Sequence, residues 1–388
     1  MRVRGSEYGT RTLAVHAGGL EHNPAGAIAM PIFRSSTYEL GGAAGYDDIV
    51  YGRLNNTPNH RVLAGKLAAL ERAEAALATA SGMAAVATAL LSHLRSGDHL
   101  IAQEQLYGGT RALLGELASR HGIETSFVAD MQPRAWRAAL RARTKVFYVE
   151  AISNPLVQVA PLDEVVRFAR EHELVSIIDN TFATPINFQP IPFGFDLVVH
   201  SATKYLNGHT DVVAGVVAGA VPRVQRARHL LNLVGACLDP HACFLLQRGL
   251  MTLPLRVPVQ NSSALALART LGEHPEVEAV HYPGLADHGS HDRARAWFKA
   301  GFGAVVSFVP RGGLEAAEAA LKRLKLARVA PSLGGVETLV CRPANTSHAA
   351  LAADVRRRMG VSDGLVRVSI GIEDPDDLVA DFSAALGP

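Results

Sequence analysis

The sequence predicts an α/β fold: a large domain with a mostly parallel sheet between helices, a smaller C-terminal α/β domain, and an extended N-terminal arm. Three observations predict it. Between residues 95 and 260 short apolar runs alternate with amphipathic segments, the rhythm of a parallel sheet covered on both faces. After Pro258 strands and helices mix without that rhythm, as in a smaller packed unit. Residues 1–50 are rich in Gly, Pro, Ser and Thr and weakly periodic, which reads as an arm rather than a compact body. A chain of 388 residues is too long for one small core. The expected divisions are 1–55 for the arm, 56–255 for the large domain and 256–388 for the smaller one.

Taken in order, the stretch from His60 to Leu77 places Leu63, Leu67 and Leu70 at helical spacing, and the alanine-rich segment after Met83 is again helical. His99–Ala102 reads as a strand and Tyr107–Arg120 as a helix. Val146–Val149 is the next strand, Leu162–Glu173 the next helix and Leu174–Ile178 another strand. Asp196–Val199 and Val212–Val217 complete the set. Pro254 and Pro258 are expected to break the chain ahead of a helix from Val259 to Glu273. The C-terminal part offers strands at Ala304–Val309 and Leu365–Ile370. Its helices fall at Leu314–Lys325, Ala349–Met359 and Pro375–Leu386.

Composition narrows the function. A net charge of +2, from 38 basic and 36 acidic residues, predicts no broad attraction to nucleic acid or to a membrane surface. No run of about 18 apolar residues is present. The segment MRVRGSEYGTRT lacks the apolar core of a signal peptide, so a cytoplasmic location is expected. Cys237, Cys243 and Cys341 match neither a disulfide framework nor zinc-ligand spacing and are expected as buried small hydrophobes. His274, His281, His288 and His291 lack metal-ligand spacing too and are expected in solvated loops, so no metal is predicted.

In an open parallel sheet ligands bind beyond the carboxyl ends of the strands. The polar residues found there are Glu150 and Asn154, then Asp179, then Ser201, Thr203 and Lys204. Each alone has a plain reading: Asp179 could cap a turn, Lys204 could be a surface lysine, and Ser81–Gly82 could merely start a helix. Together they suit one ligand, an aldehyde cofactor with a phosphate and a pyridine nitrogen. It needs an amine for an imine (Lys204) and a carboxylate for the ring nitrogen (Asp179). It also needs N–H groups and hydroxyls for the phosphate (Ser81, Gly82, Met83, Ser201, Thr203) and a flat side chain to stack on the ring (Tyr107).

The segment Ser201-Ala202-Thr203-Lys204-Tyr205, with Asp179-Asn180-Thr181 upstream, resembles the Cys/Met-metabolism family of pyridoxal-phosphate (PLP) enzymes. That family has fold type I of the PLP-dependent transferases and includes cystathionine γ-synthase, cystathionine γ-lyase, methionine γ-lyase and the O-acylhomoserine sulfhydrylases. The resemblance covers nearly the whole chain. It runs from Thr12–Gly18 through Tyr51-Gly52-Arg53, Ala80–Ala85, Leu106–Thr110, Ser153-Asn154-Pro155 and Leu238–His241 to Ser332–Glu337 and Leu365–Ser369. It implies PLP as cofactor and chemistry at Cγ, less often Cβ, of a sulfur amino acid or an activated homoserine. Lys204 would hold PLP as a Schiff base and carry protons between Cα and Cβ, with Tyr107 stacking on the ring and serving as acid/base at the leaving group. Asn154 would lie near the ring hydroxyl, and Arg367, with Ser332 beside it, would take the substrate carboxylate as a bidentate pair. Tyr51 and Arg53 would reach the phosphate site of a neighbouring subunit, which implies a homotetramer built as a dimer of dimers.

Three departures from the family pattern stand out, and the last two bear on substrate. The loop Tyr51–Asn59 is one residue longer before its proline than the family's usual form. Ile49-Val50 and Pro331 stand where cystathionine-handling members tend to place acids, which weakens selection for a distal ammonium. Gly109 stands where methionine γ-lyases characteristically have a cysteine. The last two pull in opposite directions.

Overall fold

The computed structural model describes residues 7–20, 22–42, 45–129, 131–349 and 351–387. A seven-stranded sheet is built from β1 (Ala75–Thr79), β2 (His99–Gln103), β3 (Glu124–Val128), β4 (Thr144–Glu150), β5 (Val175–Asp179), β6 (Leu197–Ser201) and β7 (Gly215–Gly219). Its order is β1-β7-β6-β5-β4-β2-β3, and only β7 runs against the rest. A five-stranded sheet joins β8 (Val277–His281), β9 (Val305–Pro310), β10 (Arg328–Val329), β11 (Leu339–Cys341) and β12 (Val366–Ser369) in the order β10-β11-β12-β9-β8. The α/β class with a mostly parallel central sheet is as the sequence predicts.

The parallel strands are buried because both faces are covered. Val146, Phe147, Tyr148 and Val149 are wholly inaccessible, and Trp136 meets Phe147 and Phe168 edge-on at ring separations of 5.2 and 5.5 Å. Strand direction then places the C-terminal ends of β4, β5 and β6 side by side at one edge, with Glu150 opposite Asp179 in register.

Several expectations change. The helix begun at residue 60 is α2 (Pro58–Glu71), and it stops at Arg72, which is left-handed (φ 51°). Ala75–Thr79 is then a strand held by pairing with β7. The prolines do not break the chain: the helix Pro240–Glu273 runs through both and spans residues 255 and 256. Its interrupted stretch is supported by side chains, since Thr252 Oγ1 and Arg256 Nη2 both donate to the Gly249 carbonyl. Part of the arm packs on its own chain. Helix α1 (Thr10–His16) buries Leu13 and Ala14, and buried Lys66 donates through Nζ to the Ala14 and Val15 carbonyls at 2.5 and 2.9 Å. The four loop histidines are also more structured than expected. His281 ends β8, and His291 Nδ1 lies 2.9 Å from the Pro283 carbonyl.

Cys243 and Cys341 are buried, Cys237 is half-buried, and all three are free thiols. Among the described residues no helix is long and apolar enough to cross a membrane, and no His, Cys, Asp and Glu group could hold a metal ion.

One buried group contributes to the acid limb of stability. His99, at the start of β2, is inaccessible and bonded to Thr144 Oγ1 and Ser126 Oγ at 2.8 and 2.9 Å. Burial, aided by Arg141 and Arg143, pushes its pKa from 6.5 down to about 4. The unfolded chain therefore binds a proton first as pH falls. Stability present above pH 6.5 is lost as pH drops to 4, by about 3 kcal/mol for this residue. Urea titrations between those pH values are expected to show His99→Gln with a flatter pH dependence than the unaltered chain; parallel curves would contradict it.

Candidate active site

The strand ends open onto a cavity of about 630 Å³. Helix α3 (Gly82–Leu91) starts at its rim after β1, with Ser81 as N-cap: Ser81 Oγ accepts the Ala84 N–H at 3.0 Å. That leaves the N–H groups of Gly82 and Met83 without helical partners, an anion-favouring end. Gly82 is pressed against Ser201, so that a Cβ there would lie 2.7 Å from the Ser201 Cβ. Only glycine lets the helix start this close to the hydroxyl of the neighbouring strand end. Thr203 lines the same wall, but its hydroxyl is engaged with the Ala214 carbonyl and N–H at 3.2 and 3.0 Å.

Lys204 follows β6 by three residues, and its Nζ donates to Ser332 Oγ at 2.7 Å. Burial, with Arg367 adding to it, pushes its pKa down to about 8. Removal from water disfavours the ammonium, so a free amine is far more accessible than on a surface lysine. Asp179, at the end of β5, accepts from the Thr181 N–H at 2.9 Å and from the Thr181 hydroxyl. Its pKa is raised by burial, against those bonds. Its neighbour Glu150 is raised well above the usual carboxylate range, by burial first and the charge of Asp179 second.

The smaller sheet supplies the opposite wall. Arg367, in the middle of β12, is 4% exposed. Its Nη1 donates to Asn154 Oδ1 at 3.1 Å and its Nη2 to the Ser332 carbonyl at 2.9 Å, while Nε has no partner. Among the described residues it forms no ion pair. A buried guanidinium without a counter-ion is unfavourable unless an anion arrives.

The cavity thus brings together Lys204, Tyr107, Asp179, Ser201, Thr203, Ser81, Gly82, Met83, Asn154, Ser332 and Arg367. Tyr51 and Arg53 lie outside it. Tyr51 is exposed, and Arg53 is held by the Asn232 carbonyl at 2.6 Å and the Tyr46 hydroxyl at 2.9 Å. Sequence reasoning missed Thr181 as a contributor, although the Asp179-Asn180-Thr181 turn carried a signal for it. It also missed Thr346 and Ser347 on the far wall, for which no local pattern exists. The donor set fits PLP on chemistry: unpaired helix N–H groups and a serine for a phosphate, a buried carboxylate for a ring nitrogen, a near-neutral amine for an aldehyde.

Residues 11–387 match the family described as Cys/Met metabolism PLP-dependent enzyme. The chain belongs to that family. It is a PLP-dependent enzyme of cysteine and methionine metabolism, in agreement with the resemblance read from its motifs. It is 40% identical to an L-methionine gamma-lyase of Fusobacterium nucleatum subsp. polymorphum over 98% of each chain. It is 39% identical to a cystathionine gamma-lyase of Bacillus subtilis (strain 168), over 97% of this chain and 98% of the relative. The crystal structure of a cystathionine gamma synthase from Xanthomonas oryzae pv. oryzae, in complex with aminoacrylate and cysteine, superposes with a TM-score of 0.94. That protein is 37% identical over 98% of each chain.

Proposed function

We propose that this PLP enzyme eliminates or replaces the γ-substituent of a sulfur amino acid or an O-acylhomoserine. The observation that carries the reading is the unpaired buried Arg367 guanidinium across one small cavity from the depressed Lys204 amine and the Tyr107 hydroxyphenyl. When bound, PLP withdraws electrons from the substrate and acidifies its Cα–H. Arg367 binds the α-carboxylate, which fixes Cα toward Lys204 Nζ, and Ser332 steadies both groups. Lys204 removes the Cα proton and then shuttles between Cα and Cβ. Tyr107 gives a proton to the γ-leaving group, and Asp179 keeps a negative charge at the base of the site. Uptake of water then yields a 2-oxo acid, ammonia and the released γ-substituent (a thiol from a sulfur amino acid, a carboxylic acid from an O-acylhomoserine), whereas addition of a thiol at Cγ yields the replacement product. Pro331 on the cavity wall favours tails without a distal ammonium.

The exposed Tyr51 and Arg53, away from their own cavity, support the further reading that they complete a neighbouring subunit's phosphate site within a homotetramer.

Product analysis with methionine, cystathionine, and O-acetyl- or O-succinylhomoserine plus cysteine or sulfide tests the substrate class. γ-Elimination or γ-replacement is expected with at least one of them. Tyr107→Phe should lower that turnover by about 10²- to 10⁴-fold, the span of a positioned acid/base. Full activity in Tyr107→Phe, or transamination as the only reaction, would reject this assignment.

A further inference from the structure

We propose that Glu150, the last residue of β4, is a positioning residue that holds the Tyr107 wall and the Asn154–Arg367 clamp at a fixed separation. The proposal rests on the roles given above to Tyr107 and Arg367. Glu150 is 5% exposed, and its one carboxylate reaches two different loops. Oε1 accepts the Tyr107 N–H at 2.6 Å, and Oε2 accepts the Asn154 N–H at 3.2 Å. Tyr107 is the N-cap of α4 (Gly108–His121), so the anchoring of its backbone sets where the ring leaves the helix.

The location is otherwise unfavourable for an acid. Glu150 is the register partner of Asp179 on the adjacent strand, and two carboxyl groups out of water repel when both are ionised. An apolar side chain would fill the space without that conflict. What an apolar side chain lacks is a pair of acceptor atoms aimed in two directions.

Those two bonds complete a continuous path. Asn154 Oδ1 accepts from Arg367 Nη1, Arg367 Nη2 donates to the Ser332 carbonyl, and Ser332 Oγ accepts from Lys204 Nζ. Glu150 therefore links the loop that carries the aromatic wall to the guanidinium supplied by the second sheet. Loss of either bond lets the wall and the clamp move independently.

The test uses the holoenzyme. Glu150→Gln turns an NH₂ donor toward one of the two N–H groups, while Glu150→Asp keeps the acid but shortens its reach by one methylene. Each is expected to lower kcat/KM by about 10- to 100-fold, as small misplacements of reacting groups do. KM for the amino acid should rise because the clamp loosens, and kcat should fall because Tyr107 shifts. A purely architectural role would instead lower the melting temperature and leave both constants of the folded fraction unchanged. That result, or unaltered kcat and KM in both variants, overturns the proposal. Should neither variant fold, amide exchange on the unaltered holoenzyme decides: protected Tyr107 and Asn154 amides support the clamp, and rapid exchange at either refutes it. The reading beneath it fails separately. Unimpaired Tyr107→Phe and Arg367→Lys would remove that reading, whereas impairment of those two with unimpaired Glu150 variants removes only the role of Glu150.

Discussion

Replacing Lys204 with alanine is expected to abolish turnover, with kcat reduced by at least about 10⁴-fold, the upper end of what one positioned acid/base supplies. On the proposed reading the same amine also anchors the cofactor, so the loss should exceed that of a simple base. The structure supports both roles, since burial and Arg367 hold the Lys204 pKa near 8 and Ser332 fixes its direction. Borohydride reduction of the unaltered holoenzyme followed by peptide mass analysis should place the cofactor's mass on the segment containing Lys204. No adduct should form with the alanine variant. Cofactor mass on another lysine, or undiminished turnover by Lys204→Ala, would defeat the assignment.

Asp179→Asn is expected to be nearly as damaging while leaving the fold intact. The amide oxygen can still accept from Thr181, so the turn after β5 keeps its bonds. The negative charge is lost. A contact charge pair in a partly shielded site is worth about 4 kcal/mol, or about 10³-fold in rate when the reaction depends on it. Removing the charge also takes away the neighbour that opposes ionisation of the buried Glu150, so the melting temperature should hold or rise as activity collapses. A variant equally inactive and much less stable would mean that Asp179 serves the architecture instead.

How much of this was legible in the sequence depended on how local each signal was. Val146–Val149 and Leu174–Ile178 announce themselves because strands buried on both faces must be apolar throughout, and Glu150 and Asp179 follow directly after them. The strand Ala75–Thr79 does not, because its alanines favour a helix and only pairing with β7 makes it extended. Glu124–Val128 is a half-buried edge strand, too polar to stand out. The prolines at 254 and 258 mislead in the other direction: local rules predict a break, and packing along a helix with many buried positions overrides them. Within the site, residues adjoining strand ends were found from the chain order, and Arg367 and Ser332 from the family motifs. Thr346 and Ser347 reach the cavity through the placement of the second sheet's loops, which no short pattern encodes. The double attachment of Glu150 is likewise a product of tertiary geometry.

The glycine at position 109 has a consequence for remodelling the enzyme. A Cβ there would fall 2.6 Å from Tyr107 Cε1 and 3.2 Å from Met83 Sδ. Any side chain at 109 must therefore turn the tyrosine ring away from its present plane or push Met83 aside. Effects of substitutions at 107 and 109 will not add, because each residue defines the space left to the other. Laboratory evolution of a new substrate preference should vary these positions jointly, since single-site libraries at 109 would mainly sample displaced rings.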